Sequence, residues 1–272
     1  MTRIVVVHGI GKQVSGPELL AAELVPALQS GVTLAGGPRI ASEDIGFAFY
    51  GNLFRRPGTR TGTADYTANS LDDFETELLA ELWEEAARSE PAVLGPEAPT
   101  RGRTPRFVQR ALDALSHSRF FAGMAERMMI ASLKQVSTYL TDPAIRSAAQ
   151  ESVLAVISED TRLVIGHSLG SVVAYETLAA HQMKVGLITL GSPLGIRNLI
   201  FERLLPTPGG WPGAVTSWTN VADSGDVVAL VKQLATKFNG VGDVLVHNGA
   251  KAHDCRPYLT AEETGRAVSL AL

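Results

Sequence analysis

A single cysteine, Cys255, stands among the 272 residues of the chain, which excludes an intramolecular disulfide framework. Charge is also scarce in excess: 24 basic against 28 acidic residues leave a formal net charge of −4. With no basic field to hold a phosphate backbone, nucleic acid is not an expected partner. No apolar run is long enough to cross a bilayer as a helix. The N-terminus reaches the apolar segment Ile4 to Val7 almost at once, without the basic start, longer apolar stretch and cleavage site of a secretory signal. The expectation is a cytoplasmic protein with no integral membrane segment. Aromatic residues make up 6%, too few to argue for action at a lipid interface.

The chain does have 45% hydrophobic content, and a length that can bury a full core as one domain carrying an insertion. Ile4 to Val7 is a β-branched run ending at "HGIG", the pattern of a strand buried on both faces and followed by a loop. Leu19, Leu20, Leu24 and Leu28 then recur at helical spacing, and Ile45 to Tyr50 is a second strand. Strand, helix, strand is how a parallel sheet begins. The rhythm returns at Asp142, which can cap a helix with Pro143 at its first position. Leu163 to Ile165 and Val185 to Leu190 predict buried strands, Val215 to Val221 and Val244 to Val246 two more. Arg197 to Leu205 predicts a short helix. The Thr260/Glu263 spacing predicts a capping box before a final helix from Ala261. There is no internal repeat.

Between the two parts of this pattern the rhythm breaks. "RRPGTRTGT" at 55–63 and "PAVLGPEAPTRGRTP" at 91–105 are turn-rich connections, and the helical patterns from Leu71 to Trp83 and from Phe107 to Leu140 lie around them. The expected organisation is a core of residues 1–54 and 141–272 with a helical insertion at 55–140, a possible cap or lid. Phe120, Phe121, Met124, Met128 and Met129 make the insertion rich in adaptable apolar side chains. They suit packing against the sheet or a substrate-facing lining.

The chemistry concentrates at "VIGHSLGSVVAY", residues 164–175. Gly166-His167-Ser168-Leu169-Gly170 is G-x-S-x-G between a strand and a helix, the context in which this motif is informative. Glycines two positions either side let strand and helix approach, and Ser168 sits exposed at the bend as a nucleophile. A serine needs a histidine to take its proton and a carboxylate to orient that histidine. Both should follow on later loops in the order serine, acid, histidine. "NVADSGDVVAL" offers Asp223 and Asp226; Asp226 is favoured because it lies farther into the loop and directly precedes an apolar helical start, with Asp223 left to cap or brace the turn. His253 in "GAKAHDC" is favoured over His247, which begins the turn "HNG". His167 is expected to point away from the pocket and to serve in packing or hydrogen bonding. The oxyanion donors should be the backbone N–H groups of Leu169 and of Ile10 in the glycine-bearing loop after the first strand. Phe120, Phe121, Met124 and Trp211, with the segment 196–205, are candidates for an apolar acyl pocket, which favours an uncharged or lipid-like ester.

Early "HGIG", central "GHSLG" and subsequent "GSPL" together resemble the lipase, esterase and acylhydrolase branches of the α/β-hydrolase superfamily. The resemblance covers most of the chain outside 55–140. It implies a three-layer α/β fold with a mostly parallel sheet, a triad of Ser168, Asp226 (through "SGDVVA") and His253 (through "AHDCRPYL"), and hydrolysis without metal or organic cofactor. Because the oxyanion loop starts at His8, there is no room for the two strands that precede it in the fuller fold, and about six strands are expected. The implied activity is cleavage of a small-molecule acyl ester through an acyl-enzyme. An acyltransferase, thioesterase or amidase would use the same intermediate, and a non-catalytic binding protein would keep the core but hold its histidine away from Ser168. "GIGKQ" lacks the spacing of a phosphate-binding loop, and His247, His253, Asp254 and Cys255 are too close in sequence to converge on a metal.

Overall fold

The structure is a computed structural model, which describes residues 2–13, 15–55, 66–96, 104–119, 121 and 124–272. Four β-branched residues form β1 (Ile4–Val7), all buried, and α1 (Pro17–Leu34) returns to β2 (Ile45–Ala48). In α1, Leu20, Leu24 and Leu28 are buried, whereas Leu19 faces solvent at 66% exposure, so the apolar stripe is narrower than the sequence pattern. Next come α2 (Asp73–Ser89), α3 (Pro105–Ser116), α4 (Glu126–Thr141) and α5 (Pro143–Leu154). The Asp72 side chain accepts from Glu75 N–H and starts α2, while Asp142 caps α5 as its sequence predicts. Alternation of β3 (Leu163–His167), α6 (Leu169–His181), β4 (Gly186–Leu190), β5 (Ser217–Asp223) and β6 (Gly242–Val246) builds the rest of the sheet, closed by α7 (Cys255–Thr260) and α8 (Glu262–Ala271).

The six strands lie in the order β2-β1-β3-β4-β5-β6, every pair parallel. Successive side chains point to opposite faces, and the core divides accordingly. Val5, Val7, Val164 and Leu187 face the layer of α2 to α6; Ile4, Val6, Leu163, Ile165 and Ile188 face α1, α7 and α8. This is the three-layer α/β architecture expected, with a generic α/β-hydrolase-like topology. Because the chain turns in opposite directions from β1, its carboxyl end and that of β3 bound a crevice, the usual place for a site in an open parallel sheet.

Three local expectations change. Residues 197–205 form turns and a short 3-10 segment, Phe201–Arg203, instead of a helix. Thr260 caps nothing: its hydroxyl donates back to Arg256 O at 2.9 Å, and α8 starts from Ala261 with no side-chain cap. The apolar stretch after Asp226 stays non-helical, although the buried Asp226 carboxylate accepts the N–H groups of Val228 and Ala229 as a helix cap would.

Candidate active site

Ser168 occupies the bend between β3 and α6 with φ 53° and ψ −130°, a conformation that costs a non-glycine residue about 1–3 kcal/mol. The surroundings pin it there. Its N–H donates to Leu190 O on β4 at 3.0 Å, and its carbonyl accepts from Ser171 N–H at 2.9 Å and from Ser171 Oγ at 2.6 Å. A Cβ on Gly166 would stand 2.6 Å from Ser171 Cα, and one on Gly170 would run into the carbonyl oxygens of Val7 and His8. The two glycines of the motif are therefore the contact points that let α6 leave the sheet so sharply.

His253 Nε2 lies 2.9 Å from Ser168 Oγ, and His253 Nδ1 lies 2.7 Å from Asp226 Oδ2. With Nδ1–H donating to the carboxylate, the Nε2 lone pair is left to accept the serine proton, the tautomer that base catalysis requires. The side chains of His253 and Asp226 are buried, at 3% and 0% exposure, so their attraction is little screened. Burial pushes the Asp226 carboxyl up, but His253, the Tyr258 hydroxyl and the Val228 N–H outweigh it and hold the group below the usual carboxylate range. Tyr258 OH donates to Asp226 Oδ2 at 2.8 Å and accepts from Asp223 N–H at 2.8 Å. Asp223 braces the histidine loop by accepting from Asn248 N–H. His247 stands exposed at the end of β6.

Gly191, just after β4, permits the acid–base contact. Its φ is +54°, and an added Cβ would fall 2.7 Å from Asp226 Oδ2 and 3.1 Å from His253 Nδ1.

Two further histidines support the site as neutral rings. His8 Nε2 accepts from Tyr50 N–H at 3.2 Å, its Nδ1–H donates to Gly9 O at 2.6 Å, and its ring stacks on Tyr50 at 4.2 Å; burial lowers its pKa to about 4. His167 is lowered to about 3 by burial and by the neighbouring His253. His167 has the hydrogen-bonding role expected of it, its Nε2–H donating to His253 O at 2.9 Å, but it does not turn from the pocket: it lines the open cleft beside Ser168. Gly9 packs close against the ring, where an added Cβ would stand 2.9 Å from His167 Nδ1.

Ser168 lies where two cavities meet. One, of about 40 Å³, is walled by apolar side chains including Leu79, Leu82, Phe121, Leu133 and Ile196, with Ile10 and Leu169 beside the serine. The other, of about 750 Å³, is an open cleft that holds His253, His167 and Met124. Phe120 lies outside the described residues. Trp211 lines neither cavity: it packs edge-on against Trp218 at 6.0 Å, and its Nε1–H donates to Val215 O at 2.7 Å. That placement removes it from the candidate acyl pocket.

Three contacts had no sequence signal beyond residue type. Tyr258 touches the triad acid. Lys232 donates to the Asp226 carbonyl and pairs with Glu85 of α2 at 3.4 Å. Gln135 of α4 accepts from Gly11 N–H at 3.1 Å and donates to Gln13 Oε1 at 3.1 Å, reaching from the helical segment into the loop that carries Ile10. Among the described residues no group of three or more His, Cys, Asp or Glu converges, and burial pushes the Cys255 thiol up to about 12. Among the described residues, no helix is long and apolar enough to cross a membrane.

Ser168, His253 and Asp226 form a Ser-His-Asp triad, the arrangement that serine-hydrolase chemistry requires, and the contact of His253 with Ser168 is what a non-catalytic relative would lack. No family model, curated protein or solved structure matches the chain.

Proposed function

We propose that the protein is a carboxylic ester hydrolase of the α/β-hydrolase superfamily, acting on an uncharged or lipid-like acyl group. The observation that carries this reading is the unbroken chain from Ser168 Oγ through His253 to Asp226, with links of 2.9 and 2.7 Å. Ser168 attacks the ester carbonyl as His253 Nε2 takes its proton, and Asp226 stabilises the imidazolium that results. The oxyanion is received by the backbone N–H groups of Leu169 and Ile10. Leu169 is the first residue of α6, where an N–H has no intrahelical acceptor and the helix dipole favours negative charge. His253 then protonates the departing alcohol, and water activated by the same ring releases the acid from the acyl-enzyme.

The acyl chain is assigned to the apolar cavity, whose wall includes Phe121 and four residues of α4, Met129, Ser132, Leu133 and Val136; at about 40 Å³ it takes a medium chain only as these side chains shift rotamer. Residues 55–140 act in this reading as a cap over the core. A cytoplasmic location suits the single cysteine.

The test is intact-protein mass after treatment with a fluorophosphonate, beside ester turnover. A single adduct on the wild type, absent from Ser168→Ala, is expected, with turnover in that variant reduced by about 10³-fold or more. Unchanged steady-state turnover by Ser168→Ala would sink the reading. Rates are also expected to rise with acyl length from acetate to octanoate; equal rates across the series would remove the apolar acyl assignment while leaving the nucleophile.

A further inference from the structure

We infer that the leaving-group half of the substrate is an anionic alcohol, with a phosphate monoester as the simplest case, received by Lys12, Arg119 and Lys251. This rests on the ester-hydrolase reading, and it begins from the asymmetry about Ser168. The serine lines both cavities, but His253 lines only the open cleft. The group that His253 must protonate as it departs therefore lies on the cleft side, and the acyl chain on the other. At about 750 Å³ the cleft has the volume of an ordinary small-molecule site.

The charges of the cleft wall favour an anion there. Its acids are Glu23 and Asp254, and both are already engaged. Arg256 pairs with Glu23 at 3.3 Å and with Asp254 at 3.4 Å, and Lys12 approaches Glu23 at 3.9 Å. Asp254 also accepts from Arg256 N–H at the start of α7. Against these two acids the wall sets Lys12, Arg119 and Lys251, so the cleft carries excess positive charge in a chain whose net charge is −4. Arg119 and Lys251 are exposed, free to follow a ligand with long, flexible side chains.

The three cations also come from the three segments that meet at Ser168. Lys12 follows Ile10 on the proposed oxyanion loop, Lys251 precedes His253 by two residues, and Arg119 follows α3 in the helical segment. An anion bound between them draws the cap toward the core on the leaving-group side only. The apolar cavity holds no charged residue. An ester with charge on its acyl chain has no counterpart there, whereas one with charge on its alcohol does.

The experiment compares 1-octanoylglycerol with 1-octanoylglycerol 3-phosphate below their aggregation limits. Both contain the same acyl chain and the same scissile bond; water splits them to octanoate and glycerol or glycerol 3-phosphate. The expected kcat/KM ratio at low salt is about tenfold in favour of the phosphate, as solvent-accessible charge pairs give a factor of about two to five each. It should fall toward one as added salt shortens the screening length. The ratio should also collapse in the Arg119→Ala/Lys251→Ala double variant and be retained in Arg119→Lys/Lys251→Arg. A turnover-independent measurement accompanies it: glycerol 3-phosphate should slow fluorophosphonate labelling of Ser168 at concentrations where glycerol does not. A ratio near one in the wild type, a preference for the neutral ester, or a preference that survives the double alanine variant with equal effects of glycerol and its phosphate on labelling overturns the proposal. Absence of any Ser168 adduct is a separate result, and it removes the hydrolase reading itself.

Discussion

The carboxyl edge of the sheet and the helices above it are held in different ways. At the edge, each catalytic residue is held by hydrogen bonds in which a backbone group takes part. Ser168 is clamped between Leu190 O and Ser171, Asp226 takes two N–H groups, and the loop of His253 is anchored through its own carbonyl. The segment 66–141 uses long side chains instead. Within it Lys134 reaches Glu75 at 2.8 Å and Ser118 reaches Glu90 at 2.8 Å; toward the core, Tyr139 joins Arg146 on the buried Glu176, Lys232 bridges to Glu85, and Gln135 reaches Gly11. A backbone hydrogen bond within a packed edge has little room to relax, whereas a side-chain tie can follow a shift by changing rotamer. In the proposed reading the chemistry is thus set on the backbone-held edge, and substrate fit on the helices above it.

The sharpest way to break the rigid half is Gly191→Ala. A left-handed φ alone costs a non-glycine residue about 1–2 kcal/mol. The added methyl would also meet Asp226 Oδ2 at 2.7 Å, so the carboxylate or the histidine must move. Displacement on the ångström scale costs about 10²-fold in rate. A fall of that size in kcat/KM is expected, with fluorophosphonate labelling slowed in parallel; normal labelling in a folded variant would show that the Asp226–His253 contact tolerates more movement than the packing suggests.

Acid should weaken the fold through two histidines at this edge. His8 and His167 have folded pKa values of about 4 and about 3, below the ordinary 6.5, so the unfolded chain binds more protons as pH falls. Their stabilising contribution is complete above pH 6.5 and is lost as pH drops through the interval toward the folded values. At 1.36 kcal/mol per pH unit, each histidine withdraws about 2 kcal/mol by pH 5. The depressed Asp226 adds its loss only lower, below the ordinary carboxylate range. Urea midpoints measured from pH 7.5 to 5 should decline, and His167→Asn should flatten that decline by roughly half. An unaltered slope in the variant would mean that His167 is not held neutral by its burial.

The same contrast governs what could be read from the sequence. β-branched runs and the G-x-S-x-G bend are local signals, and they gave the strands, the nucleophile and the order of the triad. Asp226 and His253 were recoverable because loops after later strands must return to the same edge. The cap's contacts were not recoverable in that way. Gln135 and Gly11 lie 124 residues apart, with no motif linking them, and Trp211 offered an apolar surface without saying which end of the sheet it covers. Asp226 had the appearance of a helix cap, and it does collect two N–H groups; its bond to His253 fixes a turn there, and no helix follows. Tyr258 is a tyrosine on a short helix until the fold brings its hydroxyl to the acid.

Gln135 tests where the two halves join. Its side chain is 7% exposed and Gln13 is 4% exposed, so the amide pair is shielded from water. Gln135→Leu leaves Gly11 N–H and the Gln13 amide short of partners, which loosens the loop carrying Ile10 without touching the triad. If Ile10 N–H is the oxyanion donor proposed above, a drop in kcat of about tenfold, or about 1.4 kcal/mol of transition-state stabilisation, is the size expected for partial loss of its position. KM for a given ester should change less, because the apolar cavity keeps its other walls. Gln135→Glu retains an acceptor for Gly11 N–H, and Gln13 can rotate its amide to donate, so this variant should recover most of the rate. If both variants lose activity equally and only through KM, α4 acts solely as cavity wall, and the cap and the catalytic edge are less coupled than this hydrogen bond implies.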